Sequence, residues 1–300
     1  MKNFDKVLFS AMILAFGAVA FSQSTPVIDG SLDSSYGSAI ATQTQVTGFG
    51  QNTTGAVDAA NGSQLDAAYG LMTSTTLYLM FTGNLQTNYN HLDIWFDTGA
   101  TGQNTLSNFA SNAAMAPWSG ATLSNGFNAS YGLTVNGGQS TSSSPYTFYA
   151  NMDSYSSTNG WTDAYLGSNG YGATGDGALS GGTNPGNILA AINNSNVGAS
   201  INAADTTGME FAIPLAALGM TSAHTISIIA AINGSGDNYL SNQFLSGLNT
   251  PNNLGAPGSV NLTADGNPMF SVSPQAVPSP AGVIALGLGL VGLAFRRRSR

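Results

Sequence analysis

Few side chains in this sequence can do acid–base or metal chemistry, and several of them share one short stretch. His91-Leu-Asp93-Ile-Trp95-Phe-Asp97 carries an imidazole, two carboxylates and an indole at alternate positions. In an extended strand, residues two apart line one face. His91, Asp93, Trp95 and Asp97 therefore look one way and Leu92, Ile94 and Phe96 the other. An indole beside a carboxylate and an imidazole suits a sugar: its C–H face stacks on the ring while its hydroxyls bond the polar neighbours. His91, Asp93 and Trp95 are the candidate glycan-binding residues, with Trp118 and Trp161, in turn-rich sequence, as weaker ones. A tryptophan covered by a loop or by a second sheet is the competing reading of Trp95.

Cation chemistry has its own candidates. In DTGATGQN, Asp97 and Asn104 offer side-chain oxygens, and the glycines between them let carbonyls turn toward an ion. Asp29 and Asp33 of IDGSLD form a second cluster. Calcium is the cofactor such a set would take, although Asp, Gly and Asn also build plain turns. The D-x-D-x-D-G spacing of an EF-hand is missing.

Catalysis is poorly supplied. Between the termini the chain has His91, His224 and Glu210, but no lysine, no cysteine and no G-x-S-x-G elbow. Asp93 and Asp97 are the nearest carboxylates on one strand face, and four residues of strand separate their Cα atoms by about 13 Å. That exceeds the usual carboxyl spacing of either glycosidase class. The expectation is a non-catalytic protein, with a secreted glycan-active hydrolase as the enzymatic alternative.

Positioning these residues falls to strands. Short aromatic and aliphatic runs recur between turn clusters: 75–83, 90–98, 128–135, 145–152, 208–215 and 224–233. LAALG at 215–219 reads as a single helical turn stopped by Gly219. Many short strands with regular turn signals predict an all-β chain, an antiparallel β-sandwich or jelly roll. LDSSYG at 32–37 and LDAAYG at 65–70 echo each other, either as a duplicated site or as two strands entered by similar turns. The glycine-rich stretch 170–187 reads as a long surface loop.

Charge narrows the function classes. The 300 residues have a net charge of −8, and the only basic residues besides histidine are Lys2, Lys6, Arg296, Arg297, Arg298 and Arg300. Glu210 is the only glutamate. A surface without Lys or Arg repels phosphate backbones, so no nucleic-acid partner is expected. The absence of cysteine rules out disulfides and thiolate metal sites.

The two ends explain where the basic residues went. Lys2 and Lys6 precede the apolar run Val7–Ala20, and Ala18-Val19-Ala20 is a small-x-small signal-peptidase pattern. Residues 1–22 are expected to be a signal peptide cut after Ala20 or Ser22. The body then runs from 23 to 272, a Pro-rich tether from 273 to 280, and a sorting helix with a basic tail from 281 to 300. Ala281–Phe295 would span about 22 Å as a helix, short of a bilayer core of about 30 Å. The arginines after it would hold that end in the cytoplasm.

Pro278-Ser279-Pro280, then AGVIALGLGLVGLAF, then Arg296, Arg297 and Arg298 resemble the PEP-CTERM sorting signal of exopolysaccharide-making Gram-negative bacteria. Ser279 stands where the family has glutamate. The resemblance implies a transient anchor in the inner membrane and removal of the tail by an exosortase-like enzyme. It further implies release to the cell surface or extracellular matrix, where exopolysaccharide is the possible partner. The body is more faintly similar to family-9 carbohydrate-binding-module and DOMON-like β-sandwiches. That likeness rests on IDGSLDSSYG, LYLMFTGNL, LDIWFDTGATGQN, MEFAIPLAALG and ISIIAAING. Together these imply a surface or matrix protein that binds carbohydrate; a purely structural matrix protein is the alternative.

Overall fold

The computed structural model describes residues 24–49, 63–138, 146–170, 176–195 and 204–275. The expected signal peptide, most of the tether, and the sorting helix with Pro278, Ser279, Pro280, Arg296, Arg297 and Arg298 lie outside the described residues. Thr25–Gln275 is one compact unit. In chain order its strands are β1 (Ala41–Thr42), β2 (Gln64–Met72), β3 (Thr76–Asn84), β4 (Asn88–Asp97), β5 (Tyr131–Gly138), β6 (Thr147–Ser156) and β7 (Gly160–Gly170). There follow β8 (Ser180–Gly181), β9 (Leu189–Ile192), β10 (Gly208–Pro214), β11 (Ile226–Asn233), β12 (Leu240–Leu245) and β13 (Phe270–Val272).

The strands form two antiparallel sheets. The smaller has the order β1-β2-β3-β10-β9; the larger runs β12-β11-β4-β5-β6-β7-β8, with β13 also paired to β11. Apolar residues at alternate positions meet between them. Leu79, Phe81, Phe211 and Ile213 of the smaller sheet share a core with Leu92, Ile94, Phe96, Leu133, Phe148 and Ile228 of the larger. This is the sandwich arrangement that the strand pattern predicts. Among the described residues helix is limited to short 3-10 turns, one of them Leu215–Leu218, which ends at Gly219 with φ 66° as its sequence foretold.

Residues 98–130 and 246–269 were not legible as a layer. They contain little regular structure, yet they cover the outer face of the larger sheet. Leu106, Met115, Trp118, Leu123, Phe127, Val260 and Leu262 pack there on Trp95, Trp161, Ile229 and Phe244. The cover is tied down by backbone pairing, as at Gln103 with Ala129 and Thr122 with Asn261. The smaller sheet has a lesser cover, in which Tyr36 packs on Ala67, Tyr69 and Met80, and Ile28 on Ala191 and Ala212.

The echoed hexapeptides differ in structure, which corrects both readings of them. Ser34–Tyr36 is a 3-10 turn, whereas residues 65–70 lie within β2. Near the other end, Pro274 pairs with Met72, so residues of the expected tether continue along the sheet.

Candidate functional site

The chemistry gathers on the covered outer face of the larger sheet. Register sets the neighbours: Asp93 of β4 lies opposite Thr134 of β5 and Ala231 of β11, and His91 lies opposite Asn136 and Asn233. Asp153 of β6 is opposite Gly132, which is itself opposite Trp95. Asp237 enters from the turn between β11 and β12, with φ 51°. His91, Asp93 and Asp237 are all buried, and one ligand atom from each lies within 4.8 Å of those of the other two.

Asp93 is the best-partnered member. Its Oδ1 accepts a bond from Thr134 Oγ1 at 2.6 Å, and its Oδ2 accepts from Trp118 Nε1 at 2.9 Å and Asn233 Nδ2 at 3.0 Å. Asn233 Nδ2 also donates to Asp237 Oδ1, while Asn233 Oδ1 accepts from the backbone N–H groups of Gly234 and Tyr239 and so shapes the turn. His91 Nδ1 is 3.1 Å from Thr134 Oγ1, and its Nε2 is 3.0 Å from Asn136 Nδ2.

Two carboxylate oxygens have no such satisfaction. Asp153 Oδ2 accepts from Met115 N at 3.1 Å, but Asp153 Oδ1 and Asp237 Oδ2 are buried and accept no hydrogen bond. Burial pushes the Asp153 and Asp237 carboxyls upward, and nearby carboxylates add to this: Asp163 and Asp93 for Asp153, Asp93 and Asp153 for Asp237. Burial lowers His91, against the opposing pull of Asp93 and a bond with the Ser235 backbone. The chain has no lysine or arginine between Val7 and Phe295, so none balances these acids within the body.

The sequence candidates separate here. His91 and Asp93 are in the cluster. Trp95 shares their face, as alternation requires, but is 0% exposed. It meets Trp118 at 5.6 Å and Trp161 at 5.3 Å between ring centroids, both edge-on. The reading of Trp95 as an exposed stacking platform is therefore corrected: residues distant in sequence have closed over it. Trp118 and Trp161 are equally buried.

Asp97 and Asn104 act as loop fasteners. Asp97 accepts from the backbone N–H groups of Gly99 and Asn128, and Asn104 Nδ2 donates to the carbonyls of Ser124 and Phe127. Neither belongs to the His91 cluster. Asp29 and Asp33 do similar work: Asp29 Oδ1 accepts from Ser31 N, and Asp33 Oδ2 from Val27 N.

Asp153 and Asp237 escaped the sequence reading. Asp153 continues the alternation Tyr149, Asn151, Asp153, and a strand drawn to 156 instead of 152 would have included it. Asp237 sits in GSGDN, an ordinary turn sequence with no local sign of Asp93.

Beyond the loop cover, the same face offers a second set of residues. Tyr149 and Tyr165 stand 6.5 Å apart with their rings tilted by 39°. Asn151 Nδ2 donates to both oxygens of Asp163 beside them, at 3.0 and 3.1 Å. Tyr165 is 37% exposed. Comparison with family models, with curated proteins and with solved structures found no match for this chain.

Proposed function

We propose that this protein is an exported, non-catalytic β-sandwich of the cell surface or extracellular matrix that contacts polysaccharide. Export and sorting rest on the sequence of its two ends: the Lys2/Lys6 leader and the PEP-CTERM-like Pro278–Pro280, apolar run and arginines. In that reading signal peptidase removes the leader, and an exosortase-like enzyme removes the tail at the inner membrane of a Gram-negative cell. The carbohydrate-binding-module likeness of the body points the same way.

The observation that carries the ligand reading is the Tyr149–Tyr165 pair with Asn151 and Asp163 alongside. Two phenol rings present apolar faces at low entropic cost, and the amide and carboxylate supply hydroxyl partners. This face takes the role first assigned to His91, Asp93 and Trp95. A buried acid cluster under Trp118 is not placed to reach a glycosidic bond, which supports a binding role over hydrolysis.

The test has two arms. In an exopolysaccharide-producing host, the matrix-associated chain should lack its C-terminal arginines by mass spectrometry, and Pro278→Ala with Pro280→Ala should leave it in the membrane fraction. Recovery of an intact tail in the matrix would overturn the sorting reading. Immobilised host polysaccharide should retain the chain saturably and lose about tenfold in affinity for Tyr165→Ala, as expected for about 1.4 kcal/mol of ring contact. No retention would leave a structural matrix protein as the better account.

A further inference from the structure

We infer that His91, Asp93 and Asp237 form a buried site for one divalent cation of the Mn²⁺ or Zn²⁺ class, with Asp153 beside it. The inference is independent of the sorting and glycan readings. Donor atoms mutually within 4.8 Å fit around a single ion, because bonds of about 2.0–2.4 Å place opposed ligands no farther apart than that. The imidazole nitrogen among carboxylates favours a transition ion over Ca²⁺, which prefers a full shell of oxygens.

A second observation makes this more than an acidic cluster. Asp237 is 5% exposed and Asp153 1% exposed, and each has a buried oxygen without a hydrogen bond, Oδ2 and Oδ1 respectively. Buried polar atoms in this condition are uncommon and costly unless something meets them. Among the described residues that something cannot be a lysine or arginine, for there is none. An external ion would neutralise the acids and accept their unused lone pairs at once.

The remaining bonds resemble the support that a metal centre needs. Thr134, Trp118 and Asn233 fix both oxygens of Asp93, leaving room in its four lone-pair positions for one further bond. His91 bonds through both ring nitrogens, so a ligating nitrogen gives up one of these partners. Access is one turn deep: Ser235, Gly236 and Asn238 around Asp237 are exposed. The ion would join the β11–β12 turn to β4, and through Trp118 and Met115 it would hold the 98–130 cover on the sheet.

The experiment uses the full-length chain in a non-ionic detergent, stripped with chelator and then dialysed against Mn²⁺, Zn²⁺ or Ca²⁺ separately. Elemental analysis should give one Mn²⁺ or Zn²⁺ per chain. At a hundredfold excess over its dissociation constant the ion should raise the unfolding midpoint by about 5–10 °C. Asp237→Asn, which keeps the shape and the turn, should abolish both effects, whereas Asp97→Asn should keep them. Binding that survives Asp237→Asn, or disappears in Asp97→Asn alone, would overturn the site. So would equal stability in chelator and every metal. Uptake of Ca²⁺ alone would overturn the ligand role of His91.

Discussion

The two outer faces of the sandwich solve a similar problem in different ways. Each carries buried carboxylate, and on each that carboxylate holds a covering segment. On the smaller sheet, Glu210 of β10 accepts from the backbone N–H groups of Asp29 and Gly30 through Oε2, at 3.0 and 2.9 Å, and from Tyr36 through Oε1 at 2.9 Å. Both oxygens are used, and the segment around IDGSLDSSY is latched by one side chain. On the larger sheet, Asp93 is equally well partnered, but Asp153 and Asp237 each keep an unbonded buried oxygen. A closed set of bonds marks a structural latch; an open set marks a place where something else belongs.

The largest effect is expected from Glu210→Ala. It strands the buried Gly30 N–H and Tyr36 hydroxyl and the part-buried Asp29 N–H, and should lower unfolding free energy by about 3–5 kcal/mol in denaturant titration. A loss under about 1 kcal/mol would mean that the latch is not what holds the N-terminal segment.

Next in size is Gly132→Ala, aimed at the other cover. A Cβ there would lie 2.5 Å from Met115 Sδ and 2.8 Å from the Trp95 ring. The glycine is what lets the indole lie flat across β5, so the substitution should cost about 1–3 kcal/mol and shift the near-ultraviolet signal of the tryptophans.

The pH response sharpens the contrast further. Burial raises the Glu210 carboxyl from 4.5 to about 7, against the lowering effect of its Asp29, Tyr36 and Gly30 bonds and with a further rise from Asp29. An acid with a raised folded pKa binds its proton better when folded. Its stabilising share is therefore full below about pH 4.5 and is lost as pH climbs toward 7. The difference in stability between the native chain and Glu210→Gln should narrow or reverse across that window, measured as unfolding midpoints. A difference independent of pH would contradict the shift.

Smallest is Asp153→Asn in chelator at neutral pH. It keeps an acceptor for Met115 N–H, and because burial raises the Asp153 carboxyl to about 8, a neutral amide replaces a largely neutral acid, so stability should change by less than about 1 kcal/mol. A marked loss would place Asp153 among the closed structural acids instead.

Much of the scaffold could be read directly. The six expected strands coincide closely with β3, β4, β5, β6, β10 and β11, because period-two alternation between turn residues is a local property. Strands without that signature were harder: β2 is buried along almost its whole length, and β12, with Ser241, Asn242 and Gln243 buried at its centre, looks polar. Those polar residues are spent on fastening residues 43–48, as in the Asn242 bonds to Gly48 and Val46 and the Gln243 bond to Gln45. No window of sequence announces such a use.

By itself the sequence determined the all-β architecture, a strongly acidic body without internal basic partners, and the shared face of His91, Asp93 and Trp95. It could not say whether that face meets water. Coverage depends on residues 98–130 and 246–269, which have no periodicity and are placed by pairing with distant strands. Only the tertiary structure turned Trp95 from a surface ring into core. Only it brought Asn233 and its turn to Asp93 across 140 residues of sequence. Alternation is set by local backbone geometry, whereas burial and the meeting of like charges are set by packing between segments that the local chain never sees.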